Sequence, residues 1–383
     1  MGRATGRTWA EVPGWRGARD GVVREYRRVR QYAGADPEAL GRLAGLIEDR
    51  GAVGQACVIA GGEVIFDRSF GCRPDALFLL FSAGKPFTAV LVHLLAERGR
   101  LRLDDPVARY WPEFGRHGKG AITVRQVLQH RSGVPVARSL WRDALAAASW
   151  TRSVRGLENA RPRFPPGQVP AYHILSYGFI LGELVQRVTG SDLRAVLRAE
   201  ILDPLGLADT YLGLPASVWP RHVPVAASGT GGRLRQLVFN RRVVRQAVIP
   251  AATVSSTARD LARFYQMVLN GGELDGARIL APATVAQACR PSADGQVDQF
   301  LGLPVRWSQG FQLGGPVAGS TRPRPMGRLS SRDTFGHNGS NCCLGWADPT
   351  RGLVLAYLTN RLTAGLEGPP HQSQVSDTLL TGT

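Results

Sequence analysis

Lysine is nearly absent from this chain: of its 47 basic residues only Lys85 and Lys119 are lysines, leaving 45 arginines. So strong a bias reflects codon preference, and the net charge of +17 is therefore weak grounds for a nucleic-acid partner. It also marks each lysine as a position where arginine does not serve, since lysine alone of the two can release its proton near neutral pH. Paired cysteines are missing as well. Cys57, Cys72, Cys289, Cys342 and Cys343 form an odd set without C-x-x-C spacing, which argues against a disulfide framework and for a reducing compartment. Cys342 and Cys343 read as packing residues on a buried strand. No apolar run approaches the roughly 20 residues that span a bilayer. Residues 1–35 hold eight arginines and no apolar stretch of a secretory leader, so the expected location is cytoplasmic with no membrane partner. No His-Glu-x-x-His, Cys/His cluster, Walker or dinucleotide glycine pattern occurs, and neither metal nor cofactor is expected. Apolar residues at 44% and charged residues at 20% exclude fibrous and disordered classes.

What is present is ordinary globular patterning from Asp36 onward, after an Arg-rich extension over residues 1–35. Asp36-Pro37-Glu38 signals a helix start, and Leu40, Leu43 and Leu46 continue it to about Arg50. Gln55–Ala60 and Glu63–Phe70 flank Gly61-Gly62 as a hairpin. Phe87, Val90, Leu91, Leu94 and Leu95 define a helix beginning at or near Ser82, with Pro86 tolerable only in its first turn. Helical patterns dominate 100–245, and another helix is expected over Ser256–Leu269. Strand patterns return at Ser308–Leu313, Thr334–Gly339, Asn341–Ala347 and Leu353–Thr359. The expected fold is therefore α/β of the α+β type: an antiparallel sheet built from both termini, flanked by helices. Residues 36–99 and 246–383 would form the sheet domain and 100–245 an inserted helical domain, with the ligand crevice between them.

Ser82 and Lys85 are three residues apart, a spacing that puts both side chains on one helix face. A serine hydroxyl is a poor nucleophile until a base takes its proton, and a desolvated lysine is such a base. The helix N-terminus adds free N–H groups suited to an oxyanion. The bland alternative is a capping serine beside a solvated lysine.

The segment from Asp75 through Ser82-Ala83-Gly84-Lys85-Pro86-Phe87-Thr88 to Val90 resembles the nucleophile segment of the class C β-lactamase-like serine hydrolases, a group that includes the family VIII carboxylesterases. Leu103-Asp104-Asp105-Pro106-Val107, Leu128-Gln129-His130-Arg131-Ser132-Gly133, Ser256-Thr257-Ala258-Arg259-Asp260-Leu261-Ala262 and Asn270-Gly271-Gly272 match further stretches in order, so that the resemblance spans about residues 36–365. It implies a β-lactamase/transpeptidase-like fold and catalysis by Ser82, Lys85, Tyr172 and His337. Tyr172 stands where the family has the tyrosine of Y-x-N, as a proton shuttle, with Ile174 in place of the asparagine. His337-Asn338-Gly339 takes the place of K-T-G, its imidazole donating to substrate or to the tyrosine oxygen. The N–H groups of Ser82 and Ser340 would hold the oxyanion, Gly339 would let substrate lie along the strand, and His173 would touch substrate. His130 reads as a loop or cap residue.

These expectations describe acyl transfer from a small-molecule ester through an acyl-enzyme, as an esterase or transacylase. Transfer to an amine or alcohol in natural-product (antibiotic) biosynthesis, β-lactamase or D-peptidase activity, and a non-catalytic basic binding protein are the alternatives. Arg221, Arg233, Arg235, Arg241, Arg242 and Arg245, with Arg322, Arg324, Arg328 and Arg332, would form a positive rim if they border the crevice. That rim would favour an anionic or carrier-protein-bound acyl donor.

Overall fold

The computed structural model describes residues 36–317, 320–363 and 367–382; the Arg-rich extension over 1–35 lies outside them. Helix α1 (Pro37–Asp49) starts at Asp36, whose carboxylate accepts from the Glu38 N–H at 3.0 Å, and buries Leu43, Ala44 and Ile47. Strands β1 (Gly54–Ala60) and β2 (Glu63–Phe70) form the expected hairpin. Six further strands return late in the chain: β3 (Ala293–Asp298), β4 (Leu303–Trp307), β5 (Gln312–Leu313), β6 (Phe335–Gly339), β7 (Cys343–Asp348) and β8 (Leu353–Thr359). Together they make one sheet in the order β2-β1-β8-β7-β6-β5-β4-β3. Every neighbouring pair is antiparallel, so both termini contribute, as the pattern implies.

Strand β8 shows why its sequence reads as an unbroken apolar run. Leu353, Leu355 and Tyr357 join Leu43, Ile47, Trp346, Val375 and Leu379 on one face, beneath α1 and the C-terminal helix Gly368–Leu380. Val354, Ala356 and Leu358 join Phe87, Val90, Leu261 and Phe264 on the other. A strand covered on both sides has no polar face to alternate with. The second layer contains α2 (Lys85–Glu97), buried from Lys85 through Leu95, and α3 (Ala258–Leu269). A helix enclosed on every side can hold a lysine away from water.

Several elements differ from the sequence reading. Ser82 lies in a 3-10 turn, Phe81–Gly84, and the α-helix proper begins at Lys85 with Pro86 in its first turn. Val254–Ser256 is a strand, and α3 starts only after Thr257, which caps Asp260. The run Ser308–Leu313 is not one strand but a turn leading into β5; a Cβ at Gly310 (φ +123°) would lie 2.4 Å from the Ala89 side chain. The helical stretch 100–245 also contains the strand pieces Tyr211–Leu212 and Ala226–Ala227.

Two backbone features bring β6 to Ser82. Phe81 sits at φ +50°, in the left-handed region that non-glycine residues seldom adopt, so the chain turns sharply just before Ser82. The Phe81 ring is pinned edge-on against Phe239, 5.0 Å between centroids. The end of β6 then presses on this turn: a Cβ at Gly339 would lie 1.9 Å from the Leu80 carbonyl oxygen and 3.1 Å from the Ala83 nitrogen. Gly339→Ala is expected to destabilise the fold by about 1–3 kcal/mol through overpacking. Gly41→Ala, in α1 with nothing within 4 Å of the new methyl, is expected to stabilise it by about 0.5–1 kcal/mol. Urea unfolding of the two variants measures the contrast, and equal effects would contradict the tight contact.

Candidate active site

Lys85 Nζ lies 2.9 Å from Ser82 Oγ and 3.4 Å from the Ala251 carbonyl oxygen. No carboxylate pairs with it among the described residues. Burial alone drives its ammonium well below the ordinary lysine range. Nζ donates to both oxygens, and on losing its proton it would present a lone pair to the Ser82 hydroxyl at the same distance.

Tyr172 completes the cluster from the helical side. Lys85 Nζ is 4.9 Å from the centroid of its ring, and the Ser82 hydroxyl is in hydrogen-bonding reach of its phenol. Burial raises the phenol above its usual range, with the Asp298 charge adding to the effect, so Tyr172 keeps its proton near neutral pH. The ring is clamped. It stacks on Trp307 at 5.3 Å with 6° between planes and packs against His130 at 4.8 Å.

Asp298 is a residue that nothing in the local pattern singles out. Its buried carboxylate accepts from the backbone N–H of Tyr172 (3.0 Å), Phe300 and Leu301 (2.9 Å each) and from Trp307 Nε1 (3.3 Å). One side chain thus fixes the tyrosine loop to the edge of the sheet. Asp298 closes a degenerate polar stretch, and its partners are more than a hundred residues away or nonpolar in sequence.

Two of the three histidines behave differently from their sequence readings. His130 is the cap residue expected: at φ +57° it closes the helix Val124–Leu128, its N–H donating to the Val127 carbonyl at 3.0 Å, and it is buried among Tyr172, Tyr177 and Trp307 with Nδ1 accepting from the His173 N–H at 3.2 Å. His173, expected at substrate, is fully buried; Nδ1 donates to the Ala171 carbonyl at 2.6 Å and Nε2 meets Ser132 Oγ. With both nitrogens occupied it is a structural brace. His337 does face the cluster, with its ring 6.2 Å from that of Tyr172. Burial, then the Lys85 charge, brings its pKa down to about 3. Its Nδ1 lies 2.6 Å from the Asn338 carbonyl oxygen, so the single proton of the neutral ring sits there. Nε2, without a partner among the described residues, offers a lone pair where a donor was expected.

Gly339 ends the same strand, and Ser340 and Asn341 follow at φ +47° and +58°. Neither the Ser82 nor the Ser340 N–H has an acceptor among the described residues. Ile174 packs beside the Tyr172–Trp307 cluster. The Cys342 and Cys343 thiols are buried against the Gly339 and Leu79 carbonyls at 3.2 and 3.3 Å, in keeping with a packing role. Among the described residues no group of His, Cys, Asp and Glu is arranged to hold a metal.

A β-lactamase family model matches residues 41–376. The chain belongs to the β-lactamase family. Membership makes it a serine hydrolase of the SxxK type, in agreement with the placement of Ser82 and Lys85. Esterase/beta-lactamase LipL of Mycobacterium tuberculosis is 32% identical over 327 residues, 78% of this chain and 72% of LipL. Esterase EstB of Burkholderia gladioli is 28% identical, covering 84% and 90% of the two chains. The crystal structure of a family VIII carboxylesterase superposes with a TM-score of 0.77 at 27% identity, over 91% of this chain and 97% of the other. A penicillin-binding protein homologue from Caulobacter crescentus gives 0.76 at 27% identity, over 92% and 100%. Both esterase and penicillin-binding members therefore share the frame, and chemistry at the individual positions must separate them.

A depressed lysine pKa has a consequence for stability. The unfolded chain binds a proton at Lys85 up to about pH 10.4, whereas the folded chain releases it at a lower pH. The penalty is therefore full below the folded pKa and vanishes as pH rises through the unfolded one. Lys85→Met is expected to raise stability near pH 7, with the gain shrinking toward pH 10. Urea unfolding across that range checks it; a gain independent of pH would contradict a depressed Lys85 pKa.

Proposed function

We propose that this protein is a serine esterase acting on neutral small-molecule esters through an acyl-enzyme. The observation that carries the reading is the Lys85 amine, buried with no carboxylate partner among the described residues and held 2.9 Å from Ser82 Oγ. In the proposed sequence Ser82 Oγ attacks the ester carbonyl while its proton passes to Lys85. The Ser82 and Ser340 N–H groups stabilise the tetrahedral oxyanion. Tyr172, protonated across the working range, carries the proton from the lysine to the departing alkoxide, so base and acid are separate groups shifted in opposite directions. Water then attacks the acyl-enzyme along the reverse path. An alcohol or amine in place of water would make the same intermediate a transacylase; the ester-hydrolase names of LipL and EstB favour water.

Preference for a neutral ester follows from His337 and Ile174. Where K-T-G members present a cation, His337 presents the Nε2 lone pair, which attracts a donor and repels a carboxylate. Ile174 supplies no amide to pair with a lactam or peptide bond. Both oppose the β-lactamase and D-peptidase readings.

Incubation with an activated short-chain ester should add one acyl mass to the intact protein, and Ser82→Ala should abolish both adduct and turnover. Lys85→Arg should be nearly as inactive, because arginine retains its proton. A variant lacking either group yet turning over ester normally would refute the mechanism. On the free enzyme, kcat/KM should rise with pH through the Lys85 ionisation and then stay level to about pH 10, the phenol ionising only above its usual value. A descending limb near neutrality would show that a second, acidic group is required. Chromogenic cephalosporins should be hydrolysed at least about a hundredfold more slowly than the ester; comparable rates would reverse the assignment.

A further inference from the structure

Between Asp209 and Asp260 the chain carries seven arginines and no acidic residue. The structure removes two of them, Arg221 and Arg245, from the expected positive rim: Arg221 pairs with Asp75 and Asp209, and Arg245 is buried. Arg259, outside that rim, pairs with Asp67. Across the crevice Arg332 is likewise paired, with Asp294. Four remain on α4 (Gly232–Phe239), α5 (Arg242–Gln246) and the joint between them: Arg233, Arg235, Arg241 and Arg242. None has an acidic partner among the described residues.

The same ten-residue stretch, 234–243, holds four of the eleven exposed large apolar side chains among the described residues. Leu234, Leu237, Val238 and Val243 are 56, 65, 38 and 61% exposed. Leu234, Leu237 and Val238 are spaced i, i+3, i+4, so they share one helix face. Gly232 is the single buried residue of α4, and its inward tie is Phe239, edge-on to Phe81 beside Ser82. The helix is thus mostly exposed and tied to the body one residue from the proposed nucleophile.

We propose that α4 and α5 form an interfacial docking face for an anionic lipid surface, with Leu234, Leu237, Val238 and Val243 entering the acyl boundary and Arg233, Arg241 and Arg242 meeting headgroup phosphates. Exposed aliphatic residues interspersed with cations match that environment. An acidic protein partner would be expected to find an exposed aromatic anchor at the centre of its contact. The exposed apolar side chains here are Leu and Val, and the Trp219 ring nearby is half-buried between the Arg242 guanidinium, 5.0 Å from its centroid, and His222 at 4.1 Å. The face revises the expectation of no membrane partner, and it concerns surface association, since no helix among the described residues is long and apolar enough to span a bilayer.

Vesicle flotation of the full chain tests this without turnover, so its failure leaves the esterase reading untouched. Phosphatidylcholine–phosphatidylglycerol vesicles should retain the protein at least about tenfold better than phosphatidylcholine alone. Leu234→Ser/Leu237→Ser and Arg241→Glu/Arg242→Glu should each cut retention by about tenfold. Both double variants should keep the parent near-UV circular dichroism and its rate on a short soluble ester. Equal retention by neutral and anionic vesicles, or full retention by the Leu variant, would overturn the proposal. So would displacement of the protein from vesicles by soluble polyglutamate with equal loss of polyglutamate binding in the Leu variant, which would assign the face to an acidic macromolecule.

Discussion

A single buried amine organises this molecule. The Lys85 ammonium is disfavoured because α2 is enclosed on all sides, and that enclosure needs the sheet on one flank and the helical segment on the other. Two packed layers therefore serve a protonation state as well as stability: a half-exposed helix would hydrate the ammonium and leave Ser82 without a base. Positioning is achieved from the backbone. The left-handed Phe81 turns the chain so that Ser82 leaves the core while Lys85, three residues later, enters it. Gly339 lets β6 approach the same turn within a distance that a methyl group would forbid.

Around the amine the site avoids net charge. Lys85 and His337 are held below their usual pKa values and Tyr172 above its own, each mainly by burial. The Asp298 carboxylate beside the tyrosine loop spends its lone pairs on backbone and indole N–H groups. A site built of neutral groups discriminates by lone pairs and donors more than by Coulomb attraction. In the proposed esterase, the direction of the His337 proton, set by the Asn338 carbonyl, would thereby act as a specificity element. Charge is displaced to the surface, where α4 and α5 present it together with exposed aliphatic residues.

Much of this was legible in the sequence because it is local. Ser82 and Lys85 are three residues apart, and helical geometry alone joins them. The rarity of lysine made Lys85 conspicuous. The hairpin, the apolar strands near the C-terminus and the helix after Ser82 are period signals, and all recur in the structure to within a few residues. Errors fell where neighbouring signals compete: the turn at Gly310 inside an apolar run, the strand Val254–Ser256 running into α3, and the 3-10 turn that takes the first residues of an expected helix.

The sequence by itself determined the element types, the Ser82–Lys85 pair and the family resemblance, since each depends on residues within a few turns of one another or on motif order. Tertiary structure alone decided the roles of the histidines. One imidazole looks like another in a string of letters, yet His173 has both nitrogens tied up, His130 is walled by aromatic rings, and His337 keeps a free lone pair. It also decided which of the arginines are paired and which aliphatic side chains face outward. Burial and hydrogen-bond partners are set by segments distant in the chain, and no local period encodes them.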